Sequence, residues 1–186
     1  KMKEICEKNN GADLWYSFDA KEREQIFMGR KKLFPALSQF DASMASTSLA
    51  DDMAVPYSKM ADMAAKIHEA AEKNGIVMTA YGHCGSGCMH TKIMMDTSKE
   101  EQWQGAKRAI AEIYEYVNSI HGTTSAEHGI GISKADAFRT EKMDSLKMMA
   151  AVKAALDPNN ILNPGKLQQA PEDWVTATDL RYAVNS

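Results

Sequence analysis

Two histidines, His83 and His90, stand seven residues apart across the segment Gly82-His83-Cys84-Gly85-Ser86-Gly87-Cys88-Met89-His90. Imidazole is the commonest protein ligand for zinc, iron and related ions, so two of them around a glycine-rich reversal can begin a metal site. The flanks Gly75-Ile76-Val77-Met78-Thr79-Ala80-Tyr81 and Thr91-Lys92-Ile93-Met94-Met95 are apolar or β-branched and read as two strands of a hairpin. With Ser86-Gly87 as a two-residue turn, Cys84 falls opposite Met89 and His83 opposite His90. Opposed side chains share a face of the sheet, with Cβ atoms about 5 Å apart. Strand alternation puts Cys88, His90 and Lys92 on one face, so a thiol and an ammonium would border the imidazoles. The alternative is a glycine-rich turn whose histidines are structural or merely exposed.

A second chemical cluster is His121-Gly122-Thr123-Thr124-Ser125-Ala126-Glu127-His128-Gly129-Ile130-Gly131, a glycine-bounded loop with a carboxylate beside an imidazole. Glu127 offers a hard oxygen that would complete a two-histidine, one-carboxylate set with His83 and His90, leaving positions open for a substrate. His128, adjacent in sequence, is expected to point elsewhere and could act as a base. The alternative is a loop in which Glu127 forms an ion pair and the histidines face water.

The elements that position these groups follow from periodicity. Asp19 should cap a helix running to about Phe34 and ending near Pro35, and Ser38 to Ser48 reads as a polar loop. Asp52-Met53-Ala54-Val55-Pro56 is a short strand entering a turn. Met60, Met63, Ala64, Ile67 and Ala71 mark the inner face of a helix closed by Asn74-Gly75. After the hairpin, a helix from Thr97 or Ser98 carries Trp103, Ile110, Ile113, Val117 and Ile120 toward the sheet. The class is α+β: an antiparallel sheet with helices packed on one face, in a ferredoxin-like, split βαβ order. The 13 methionines, Met60, Met63, Met148 and Met149 among them, are taken mainly as adaptable core filling.

With 186 residues and a formal charge of −3, the chain can bury a real core and has no basic run suited to nucleic acid or an anionic membrane. No apolar run approaches the ~20 residues of a membrane span, and residues 1–4 do not resemble a signal peptide. A soluble, cytoplasmic protein is expected. Cys6, Cys84 and Cys88 make no even disulfide framework, so reduced thiols are the default.

Three blocks together resemble the C-terminal domain of the FAD-linked oxidases of the vanillyl-alcohol oxidase superfamily. They are Gly82-His83-x-Gly85-x-Gly87-x-x-His90, Gly122-Thr123-x-Ser125-x-Glu127-His128-Gly129-Ile130-Gly131, and Leu156-Asp157-Pro158-x-x-Ile161-Leu162-Asn163-Pro164-Gly165-Lys166. Asp52-x-x-Val55-Pro56 and Arg30-Lys31 agree less specifically. The branch is that of D-lactate dehydrogenases, D-2-hydroxyglutarate dehydrogenase and the glycolate oxidase flavoprotein subunit. The resemblance implies a substrate or cap domain over residues 1–166, with 167–186 an extension, and FAD held by an upstream domain outside this chain. It further implies a divalent ion (zinc, manganese or iron) on His83, His90 and Glu127, with His128 as the base. Arg30 is the candidate for pairing with the carboxylate of a 2-hydroxy acid, the alternative being a solvated charge on an amphipathic helix; by resemblance Asn163 and Gly165 would lie near the flavin, the alternative being a plain Asn-Pro-Gly turn. A possible electron-transfer subunit completes the implied partners, with no nucleic acid and no transmembrane segment.

Departures from the family pattern fall inside the site. Its aspartate is Ser86 here, its asparagine is Cys88, and an asparagine two residues beyond the second histidine is Lys92. Lys92 could bind a second substrate carboxylate, replace lost polar contacts, or snorkel to water. Cys88 could substitute for a harder ligand and favour a softer metal, or pack as an inert thiol. These changes keep open a non-catalytic metal-binding or assembly module derived from the same domain. An oxidase of phenolic substrates is disfavoured, because those branches generally lack the two-histidine block.

Overall fold

The computed structural model describes residues 1–11, 14–49 and 51–166, so the expected extension at 167–186 lies outside the described residues. The chain forms two compact units, Lys1–Ala42 and Ser43 onward. The first contains α1 (Met2–Lys8) and α2 (Ala20–Leu37). Asp19 caps α2 as expected, its carboxylate accepting the Glu22 amide at 2.9 Å. The helix runs past Pro35 to Leu37 rather than stopping there. A proline this close to the end forfeits only one ladder bond in the last turn, which the helix tolerates.

The second unit contains β1 (Ala45–Thr47), β2 (Met53–Ala54), α3 (Met60–Lys73), β3 (Val77–His83), β4 (Cys88–Met95), α4 (Glu100–Ser119), α5 (Ala135–Lys142) and α6 (Leu146–Leu156). β1 falls within the stretch read as a polar loop, and its three residues are too few to show a period. β4 lies centrally and antiparallel to every neighbour. β2 and β3 flank it, so β2–α3–β3 is a βαβ unit split by β4, as the element order implies. β1 and β2 share one edge end to end, pairing with Ile93–Met95 and with Cys88 and Met89. The segment between them passes beside residues 90–92. After α4 the chain returns to the sheet through a single bridge, Thr123 to Ala54.

The two sheet faces divide the work. Met78, Met89, Ile93 and Met95 join Met63 and Ile67 of α3 and Trp103, Ile113 and Val117 of α4 in one core. Each fully buried apolar side chain contributes roughly 1.5–3 kcal/mol, so this face carries much of the unit's stability. The opposite face carries Tyr81, His83, Cys88 and His90, and is the chemical one. On α6 the methionine reading fails in part: Met148 is 70% exposed, and Val152 and Leu156 one and two turns on are also exposed.

Candidate functional site

The hairpin brings the two histidines together by a different register from the one expected. His83 pairs with Cys88, Gly82 with Met89 and Tyr81 with His90, and the turn takes four residues, Cys84–Gly87, not two. Ser86 Oγ donates to the His83 carbonyl, and Gly87, at φ 71°, closes the turn in the left-handed region. Because the slip is two residues, the face is unchanged. The histidines are diagonal rather than opposed, with ring centroids 5.3 Å apart in an edge arrangement. Gly82 permits this approach: a Cβ there would lie 2.2 Å from the Cys88 carbonyl oxygen.

Two acids from the break between β1 and β2 organise the rest. Asp51 Oδ1 lies 3.1 Å from His90 Nδ1 and accepts the Thr91 amide, while its Oδ2 accepts from Lys92 Nζ at 3.0 Å. Lys92 also donates to Ser48. Lys92 is therefore buried and committed to Asp51, and does not snorkel. Asp52 is fully buried, with φ 71°. Its carboxylate accepts the amides of Ala126, Glu127 and His128, the Ser125 hydroxyl and Lys134 Nζ. Burial pushes its pKa up, but the His128 and Glu127 amides and Lys134 outweigh that and hold it at about 2, against an ordinary 3.8. An ionised Asp52 thus fixes the loop that presents Glu127. Sequence reasoning missed these roles. The Asp51-Asp52 doublet abutting the apolar Met53-Ala54-Val55 was the available signal; nothing singles out Lys134.

Around Glu127 Oε1 three imidazoles gather: His90 Nε2 at 3.2 Å, His83 Nε2 at 3.6 Å and His128 Nε2 at 3.7 Å. His128 does not point elsewhere; its ring stacks on His90 with centroids 5.1 Å apart. The floor is closed, with the His90 side chain 4% exposed, whereas His83, Glu127 and His128 form an open rim. Cys88 Sγ lies on the floor 3.5 Å from His90 Nε2. Burial, then the charges of Glu127, Asp52 and Asp51, push its thiol up to about 11. Among the described residues, two sets of donor atoms converge within 4.8 Å: Asp52, Cys88, His90 and Glu127, and Asp51, His90 and His128. His83 joins neither and meets the cluster through Glu127.

The remaining expected residues lie elsewhere in the chain. Arg30 is exposed on α2, in the first unit. Asn163 and Gly165 sit in a turn with both residues at positive φ. That turn is anchored by Asp157, which accepts the amides of Ile161 and Leu162 and pairs with Lys153.

A donor set converging on the polar face of a split βαβ sheet describes a small α+β domain able to hold an ion in reach of solvent. The chain belongs to the family described as FAD linked oxidases, C-terminal domain, which matches residues 1–167. It is 32% identical over 168 residues to glycolate oxidase subunit GlcD of Bacillus subtilis, covering 90% of this chain and 35% of that protein. It is 30% identical over 167 residues to the mitochondrial D-lactate dehydrogenase [cytochrome] of Arabidopsis thaliana, covering 89% of this chain and 29% of the relative. Over 117 residues it is 32% identical to a probable mitochondrial D-2-hydroxyglutarate dehydrogenase of Oryza sativa, 62% of this chain and 20% of that protein. The chain spans about a third of the length of the curated relatives it matches. Among the described residues no helix is long and apolar enough to cross a membrane.

Proposed function

We propose that this chain is the substrate- and metal-binding part of an FAD-dependent 2-hydroxy-acid dehydrogenase or oxidase of the D-lactate or glycolate type. The observation that carries the reading is the gathering of His83, His90 and His128 nitrogens on one oxygen of Glu127. Asp51 engages His90 Nδ1, which turns Nε2 and its lone pair toward Glu127 Oε1. Two acceptors 3.2 Å apart need a proton or a cation between them. Ligands ~2.1 Å from a tetrahedral ion lie ~3.4 Å from one another, so the spacings around Glu127 suit a small divalent ion.

His83, His90 and Glu127 would hold the ion, which when bound supplies Lewis acidity that lowers the pKa of a substrate α-hydroxyl. FAD, which the family implies in a partner domain, would supply the hydride acceptor. His128, on the open rim, accepts the hydroxyl proton at Nε2. By the family resemblance, Asn163 and the turn at Gly165 would border the flavin. The buried Asp51–Lys92 pair keeps His90 oriented.

Elemental mass spectrometry of the chain after dialysis against zinc, manganese or iron(II) tests the reading. Near one equivalent of metal is expected, lost in His90→Ala; metal-free protein under all three conditions would overturn the ion site. In a protein carrying both domains, reduction of the flavin by a 2-hydroxy acid separates the enzyme from a non-catalytic module, which Ser86 and Cys88 would suit.

A further inference from the structure

We infer that the thiol of Cys88 is itself a ligand of the ion, in a Cys88, His90, Glu127 set that His83 joins from the rim. The inference rests on the metal site proposed above and deepens it. Of the donor sets that converge within 4.8 Å, the one open to a cation contains Cys88, His90 and Glu127; its fourth member, Asp52, already accepts hydrogen bonds at both oxygens from the 125–128 loop and from Lys134. A sulfur ~2.3 Å and an imidazole nitrogen ~2.0 Å from one tetrahedral zinc ion are ~3.5 Å apart. Cys88 Sγ and His90 Nε2 are 3.5 Å apart. The thiol is fixed there by strand alternation, two residues from His90 on the same face, and by burial to 2% exposure. Ligation replaces the S–H bond by a sulfur–metal bond and releases the thiol proton to solvent. A thiolate in the set selects zinc or cobalt over manganese, in contrast to a ligand set of nitrogen and oxygen alone.

Cobalt(II) loading of the chain tests this, because a cysteine ligand gives a near-ultraviolet sulfur-to-cobalt charge-transfer band that nitrogen and oxygen ligands do not. The band is expected in the wild-type chain and in Cys6→Ser/Cys84→Ser, which removes the other two thiols. It should vanish in Cys88→Ser while bound cobalt, counted by elemental analysis, persists. The Cys6→Ser/Cys84→Ser arm decides the matter even if Cys88→Ser fails to fold. Cobalt bound without the band would overturn the thiol ligand and leave the ion site standing. No cobalt bound would overturn both.

Discussion

Asp51 serves two bases with one carboxylate, orienting His90 through Oδ1 and neutralising Lys92 through Oδ2. Removing one member of a buried pair strands the other, at a cost of roughly 3–5 kcal/mol. Asp51→Asn should therefore lower urea-unfolding stability by about that much, and Asp51→Asn/Lys92→Met should recover most of it; a double variant as weak as the single would refute the coupling. Asp52 gives a pH dependence of definite sign. Its folded pKa, about 2, lies below the ordinary 3.8, so its contribution is complete above pH 3.8 and is lost as pH falls through 2. The difference corresponds to about 2 kcal/mol, and acid titration of unfolding free energy should lose that slope in Asp52→Asn. Sequence spacing made the convergence of His83, His90 and Glu127 legible, because histidine and carboxylate types around glycine-rich turns stand out. Asp51, Asp52 and Lys134 escaped because their partners lie 39 to 82 positions away, and no local pattern encodes such pairings.

At the scale of elements, α3 and α4 were readable because long amphipathic repeats give several agreeing positions. The hairpin was readable as a hairpin but not in register: glycine-rich sequence permits more than one turn, and a choice of two or four residues moves every pair. The face survived only because the slip was even. Gly82 is where register and sterics meet, since any side chain there confronts the Cys88 carbonyl. Gly82→Ala should destabilise the chain by roughly 1–3 kcal/mol and weaken ion binding by displacing His83 and Cys88. Thermal unfolding with metal titration would check both, and an unperturbed variant would show that the hairpin yields freely. Pro35 taught a narrower lesson: a proline marks a helix end only to within its last turn.

For the whole molecule, the fold places its apolar core on one side of the sheet and its donor atoms on the other, with the rim of the cluster open. A second open surface is the stripe Met148, Val152 and Leu156 along α6, next to exposed Ile161 and Leu162. Residues four apart share a helix face, so this is continuous apolar surface of the kind that seeks a partner. The chain alone should bind a hydrophobic dye, and Met148→Lys/Leu156→Lys should reduce the fluorescence with unchanged far-ultraviolet circular dichroism; equal fluorescence would locate the dye elsewhere. The fastening of Asp52 to Ser125 through Lys134, across 73 to 82 residues, also sets an order of assembly. Hairpins and helices form from near neighbours in microseconds, whereas contacts this distant in sequence wait for them. A refolding chain would regain its helix signal before its donor cluster assembled, and a chain emerging from the ribosome would have no assembled cluster until Lys134 had been synthesised and released into reach of Asp52.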